Sequence, residues 1–263
     1  MSLQELLTRW MPQKARPVPE RWAAPRVLDR GRVGRPQIAM DAHGQALAAW
    51  HHRGQDHEGV YICRFHADSG AWDLVPRRLD TARTEARAPE LAMNHRGEVA
   101  VVWHEREGEV ARVSARHMLG SAETWVPYPM TLYAAPGEVY SLRAAMDDQG
   151  GIQTVWCQGG GRDYRVFACG YDPASGAWDE APTILGQVSP EPVYPQLALN
   201  RSGHGLVVWS EGRGAEGRLV ACHYDPGGRC WSDRPTRVAP SAAGYIRLAL
   251  DPRGGAIVLW VAG

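Results

Sequence analysis

Residues 89–103 read PELAMNHRGEVAVVW. Two apolar stretches flank a polar turn: Leu91-Ala92-Met93 ahead of Asn94, and Val99-Ala100-Val101-Val102-Trp103 behind Gly97. An Asn or Asp side chain caps such a turn, and Gly three residues on takes the left-handed position without a Cβ penalty. The stretch therefore predicts a β-hairpin. Its second arm is apolar at every position, as expected of a strand covered on both faces. The same pattern recurs as PQIAMDAHGQALAAW (36–50), LRAAMDDQGGIQTVW (142–156), PQLALNRSGHGLVVW (195–209) and IRLALDPRGGAIVLW (246–260). Trp50, Trp103, Trp156, Trp209 and Trp260 close the five copies at spacings of 53, 53, 53 and 51 residues.

A second tryptophan series, Trp22, Trp72, Trp125, Trp178 and Trp231, interleaves with the first, and each is followed within four residues by a proline. Ten of the 11 tryptophans are thus committed to the repeat, which argues against tryptophans scattered as binding residues. Each copy reads as four short strands. The third strand alternates, as in Leu219-Val220-Ala221-Cys222-His223-Tyr224, and a tight turn then leads to a fourth strand opened by the second tryptophan. Four strands per unit of about 40–50 residues is the mark of a propeller blade. The expectation is all-β: a five-bladed β-propeller over residues 17–263. Its closing blade pairs Ile246–Trp260 with an N-terminal strand over Trp22–Leu28, which removes free sheet edges. Residues 1–16 form an extension in which Ser2-Leu3-Gln4-Glu5 has the capping-box pattern, and Leu3, Leu6, Leu7 and Trp10 share one helical face.

Whole-chain properties exclude several classes. Lys+Arg and Asp+Glu both number 29 in 263 residues, so no basic excess points to nucleic acid. No apolar run reaches the roughly 18 residues of a membrane span, and the first residues lack the features of a secretory signal. The five cysteines, an odd number, suit a reducing compartment, and the expected location is cytoplasmic. Cys63, Cys169 and Cys222 occupy one repeat position in three blades, too far apart for a disulfide, and read as small core residues. No Cys-x-x-Cys spacing occurs, so no metal site and no cofactor are expected.

The repeat resembles bacterial propeller repeats of the A-M-D-x-x-G-x-A-x-A-x-W kind, and its architecture is similar to five-bladed lectins of the tachylectin-2 type. The resemblance covers residues 20–263 and implies the propeller. It carries over no sugar-binding residue, because the lectin's contact motif is not found here, and the sialidase box S-x-D-x-G-x-x-W is not found either.

Two groups of residues are candidates for function. The residues after the first tryptophans open long loops: His51-His52, His104-Glu105, Cys157-Gln158 and Ser210-Glu211. His51, His52, His104, Glu105 and Cys157 can converge there as an acid–base or metal cluster. The connectors into each first strand end on a long polar residue, Gln37, Glu90, Arg143, Gln196 or Arg247, with Arg35, Tyr140, Tyr194 and Tyr245 beside them. Side chains buried between blades would be apolar at that position, so these are expected to face the channel mouth, where they suit a polar ligand. The functional expectation is a non-catalytic module, not an enzyme, that binds a protein or peptide through this loop face. The alternatives are a carbohydrate-binding lectin with repeated weak sites and a glycoside-acting hydrolase with acids drawn from Glu85, Glu90, Glu138 and Glu191.

Overall fold

The computed structural model describes residues 24–54, 58–81, 85–120, 124–212, 217–240 and 243–262. The described residues form only strands, turns and connectors, in five antiparallel sheets. Sheet 1 holds β1 (Arg32–Met40), β2 (Ala46–Arg53), β3 (Glu58–His66), β4 (Ala71–Trp72) and β5 (Arg77–Arg78). Sheet 2 holds β6 (Glu85–Met93), β7 (Val99–Glu107), β8 (Val110–Met118) and β9 (Met130–Pro136). Sheet 3 holds β10 (Glu138–Met146), β11 (Ile152–Gly160), β12 (Asp163–Asp172), β13 (Ala177–Trp178) and β14 (Thr183–Ser189). Sheet 4 holds β15 (Gln196–Leu199), β16 (Gly205–Glu211), β17 (Arg218–Asp225), β18 (Cys230–Trp231) and β19 (Thr236–Ala239). Sheet 5 is the pair β20 (Ala243–Leu250) and β21 (Ala256–Ala262). Each first strand packs against the next: β1 on β6, β6 on β10, β10 on β15 and β15 on β20.

The turns form as the sequence predicts. In all five copies the capping side chain accepts two backbone N–H groups through one oxygen. Asp41 Oδ1 takes His43 and Gln45, Asn94 takes Arg96 and Glu98, Asp147 takes Gln149 and Gly151, Asn200 takes Ser202 and His204, and Asp251 takes Arg253 and Gly255. Only a side-chain carbonyl-type oxygen is needed, which is why Asp and Asn alternate freely. The glycine that follows has φ between 80° and 89° in every copy.

The second strands are the core. Trp103, Trp156 and Trp209 are fully buried, and each indole N–H meets an acceptor two residues along its own strand: Glu105 at 2.6 Å, Gln158 at 3.1 Å and Glu211 at 3.2 Å. Sheet 1 solves the same problem differently. Trp50 donates to Asp29 at 2.7 Å, and Asp29 also pairs with His52, which stands where the others carry Glu or Gln. Cys63, Cys157, Cys169 and Cys222 are free and buried, as small core residues should be.

Two expectations meet a different outcome. The helix over residues 2–11 lies outside the described residues. The closing strand over Trp22–Leu28 is not formed where it is described. Residues 24–28 carry no strand, and Arg26 donates to the carbonyls of Trp72 and Asp73 on the outer edge of sheet 1. Pro25 has no N–H to give a ladder, and the guanidinium ties the segment to sheet 1 instead of sheet 5.

Gln158 also donates to the carbonyls of Ala111 and Ala135, so one amide satisfies three buried groups. Gln158→Leu strands them and is expected to cost about 1–3 kcal/mol, seen as a lower urea midpoint with an unchanged slope.

Candidate functional site

The polar residues at the start of the first strands are aimed by a repeated backbone feature. Arg35, Ala88, Ser141 and Tyr245 have φ between 48° and 50°, the left-handed region that non-glycine residues avoid. A register shift accompanies each, between Gly34 and Gln37, Arg87 and Glu90, Tyr140 and Arg143, and Gly244 and Arg247. This bulge turns the residue two positions on, and bulges of this kind re-aim side chains beside functional sites. The fourth copy departs from the rule, since β15 begins only at Gln196.

The bulges bring side chains from three successive sheets together. Arg143 pairs with Glu90 of sheet 2 at 3.3 Å and donates to Gln196 of sheet 4 at 3.3 Å. Arg35 of sheet 1 stands close enough to act on both Glu90 and His104. Glu90, Arg143 and Gln196, three of the residues expected at a channel mouth, are thus in contact with one another. At the ends of the series Arg247 donates to its own neighbour's carbonyl, Ile246, and Gln37 is half-buried. Tyr140 lies edge-on to Tyr164 at 5.8 Å, its phenol pushed up by burial and by the neighbouring Tyr164, Glu138 and Tyr194. Tyr194 and Tyr245 are exposed.

The residues after the first tryptophans divide. His51 and His104 come within electrostatic reach of each other. His51 bonds Glu58 at 3.2 Å, and Glu58 also meets Arg53 and Arg87 at 3.4 Å each. His52, Glu105 and Cys157 do not join them. His52 turns to Asp29, Glu105 is held by the Trp103 indole, and Cys157 is buried where Val193 N–H reaches its sulfur. Strand alternation sends His52 and Glu105, two residues after the tryptophan, to the opposite face; Cys157 shares the position of His51 and His104 but is buried against Val193. Among the described residues no group of three or more His, Cys, Asp or Glu side chains is placed to hold a metal ion.

The electrostatics of the mouth are uneven. Burial raises the Glu90 carboxyl above its ordinary value, opposed by Arg143 and Arg35. Burial and the cations Arg35 and Arg87, with His51, push His104 down from 6.5 to about 4. Burial lowers His51 too, against the pull of Glu58. At neutral pH the imidazole of His104 is thus neutral, and Glu90, which shares Arg35 as a neighbour, retains its proton more tightly than usual. The roomier clefts lie elsewhere. One of about 600 Å³ runs between sheets 3 and 4 past Glu211, Arg218, Asp233, Arg234 and Arg237, and one of about 380 Å³ separates sheets 4 and 5 on the turn side. In the first, Glu211 is already committed to Trp209 and Arg218. The second is lined by turn residues such as His204, Arg253 and Gly254, with no pair of carboxylates.

Comparison with known proteins bears on what this mouth does. No protein-family model matches the sequence, and no curated protein does. Solved structures do match. A Hadza microbial sialidase is 12% identical over 87% of this chain and 52% of its own, with a TM-score of 0.53. An α-L-arabinanase of Penicillium chrysogenum is 12% identical over 87% of this chain and 75% of its own, TM-score 0.52. A polysaccharide lyase acting on ulvan is 11% identical over 80% of this chain and 58% of its own, TM-score 0.51. The chain therefore spans about half the length of the sialidase. Identity this low establishes likeness of fold alone. It nevertheless corrects two expectations, the non-catalytic protein-binding module and the absence of enzymatic activity. These three fold relatives are a sialidase, an arabinanase and a polysaccharide lyase, and the glycoside-acting alternative fits them better.

The shifted groups predict the acid stability profile. His104 is neutral in the folded state and charges more readily when unfolded. Its contribution to stability is present above pH 6.5 and is lost as pH falls toward about 4, amounting to about 3 kcal/mol. Glu90 has the opposite sign: its raised carboxyl destabilises at neutral pH and ceases to do so as it protonates. His104→Gln is expected to flatten the fall in Tm between pH 6.5 and 4, and Glu90→Gln to raise Tm at pH 7, both read by thermal melts across pH.

Proposed function

We propose that the five sheets are the blades of a five-bladed β-propeller and that the chain cleaves glycosidic bonds in an anionic polysaccharide at the mouth formed by Glu90, Arg143, Arg35 and His104. The observation that carries this reading is the Glu90 carboxyl, raised by burial and set at 3.3 Å from Arg143, with Arg35 within electrostatic reach of both Glu90 and a neutral His104. A carboxyl whose burial makes it hold its proton more tightly than usual is suited to giving that proton to a leaving oxygen. Guanidinium groups around it recognise a carboxylate or sulfate in two-pronged fashion and fix the sugar's register. The fold relatives named as a sialidase, an arabinanase and an ulvan lyase support carbohydrate as the substrate class.

The geometry favours elimination over hydrolysis. Next to a sugar carboxylate held by Arg35 and Arg143, neutral His104 takes the ring proton adjacent to that carboxylate. The electron pair left behind forms a carbon–carbon double bond, the glycosidic carbon–oxygen bond breaks, and Glu90 gives the departing oxygen its proton. Proton exchange with water restores both groups. Hydrolysis needs a second carboxylate on the far side of the bond, and the nearby Glu58 is held by His51, Arg53 and Arg87.

The protein incubated with uronate-bearing polysaccharides is expected to release reducing ends together with the ultraviolet absorbance of the new double bond. Reducing ends without that absorbance would make it a hydrolase, and neither signal over a broad panel would refute the reading. Glu90→Gln should lower the rate at least about 100-fold with little change in KM.

A further inference from the structure

The repeat lets each outer arginine be compared with its counterparts in the other sheets. In sheet 1, Arg78 pairs in register with Tyr61 and is held within the sheet, where it donates to both oxygens of Asp80 and to the Glu58 carbonyl. Arg237 holds the same position in sheet 4, paired with Val220. Ala239 stands there where sheet 1 has Asp80, so Arg237 lacks the acid that holds Arg78. Arg234 is a second departure. Its counterparts in sheets 1, 2 and 3 are Val75, Tyr128 and Ala181, none of them charged. Both arginines are exposed, and among the described residues neither donates a side-chain hydrogen bond or joins an ion pair.

Both line the wider cleft, between sheets 3 and 4. A third guanidinium, Arg218, is already oriented there. Glu211 accepts from its Nε at 3.0 Å and from its Nη2 at 2.8 Å, which fixes the fork and leaves Nη1 without a partner. Glu211 is spent on this pair and on the Trp209 indole, so Asp233 is the only other acid of the lining. The floor closes where Gly186 of sheet 3 lies against sheet 4: a Cβ there would stand 2.7 Å from the Trp209 indole and 3.0 Å from Glu211. Three guanidinium groups with one uncommitted carboxylate around such a cleft suit an anion.

We propose that this cleft is a second binding site for an anionic polysaccharide, in which Arg234, Arg237 and Arg218 hold a carboxylate or sulfate of the chain away from the mouth. The carbohydrate part of this assignment rests on the proposed function, and the anion part rests on the arginines alone. The cleft and the mouth share one boundary. Arg143 and Gln196 touch across the first strands of sheets 3 and 4, and Arg237 lies on the outermost strand of sheet 4. Three strand spacings separate them, on the order of 15 Å, a span that several linked sugars cover and a single sugar does not. One polymer is thus held at both places, and the second grip raises the local concentration of its bonds at the mouth.

Dissociation constants for polygalacturonate, dextran sulfate and neutral dextran, measured on the full chain at low salt, test the site. The protein should bind at least one of the two anionic polymers and not neutral dextran. Arg234→Gln with Arg237→Gln should weaken that binding at least about 10-fold, the loss expected of hydrogen bonds from charged groups. Arg96→Gln with Arg253→Gln removes the same charge from the turn side and should leave it nearly unchanged. Equal losses in the two variants would show unspecific charge attraction and overturn the proposal. So would an unchanged affinity in the cleft variant, or no binding of either anionic polymer. Cleavage is read separately, as reducing ends. Polymer cleaved, with affinity unchanged in the cleft variant, refutes this site alone. Affinity lost in that variant, with no polymer cleaved, leaves this site standing and counts against the mouth alone.

Discussion

Burying an indole without stranding its N–H is the constraint on which the rest of the structure depends. The second strands of sheets 1 to 4 are covered on both faces, so the tryptophan near the end of each has no water to bond. Glu105, Gln158 and Glu211 answer from two residues along the same strand, and Asp29 answers from outside for Trp50. That solution removes those acids from chemistry, even though their residue types advertise it. It also frees the intervening position, on the opposite strand face, and there His51 and His104 reach the mouth. The same repeated strand thus holds the core and points its chemistry.

The fold was legible because its signals are local and repeated. Trp spacing and the Asp/Asn–Gly turns are each set by a single hydrogen-bonding requirement, so they survive in every copy. The bulge that aims Glu90 and Arg143 was not legible, because the left-handed residue is Arg35, Ala88, Ser141 or Tyr245 and shares no side-chain feature. Its consequence was readable instead, as a long polar residue at one position where the core would demand an apolar one. The closing strand over Trp22–Leu28 was inferred from the need to close the ring. Arg26 instead satisfies backbone carbonyls on sheet 1 and takes the segment there.

A formal net charge of zero hides a locally cationic mouth. Arg35 and Arg87, with burial, keep His104 neutral, while Arg143 pairs with Glu90. Glu90 resists that field because burial costs its charge more than the guanidinium groups return. Opposite shifts in two titratable groups that share a neighbour, here Arg35, fit a proton donor and an acceptor. No large cavity is needed for this, since a polysaccharide chain lies across a mouth and is not swallowed by a pocket.

The most direct measurement of the central claim is a crystal structure soaked with a uronate-containing trisaccharide. The account predicts density at the mouth, with a sugar carboxylate between Arg35 and Arg143 and a glycosidic oxygen within hydrogen-bond reach of Glu90. Density in the cleft between sheets 3 and 4, against Arg234 and Arg237, with the mouth empty, would contradict it.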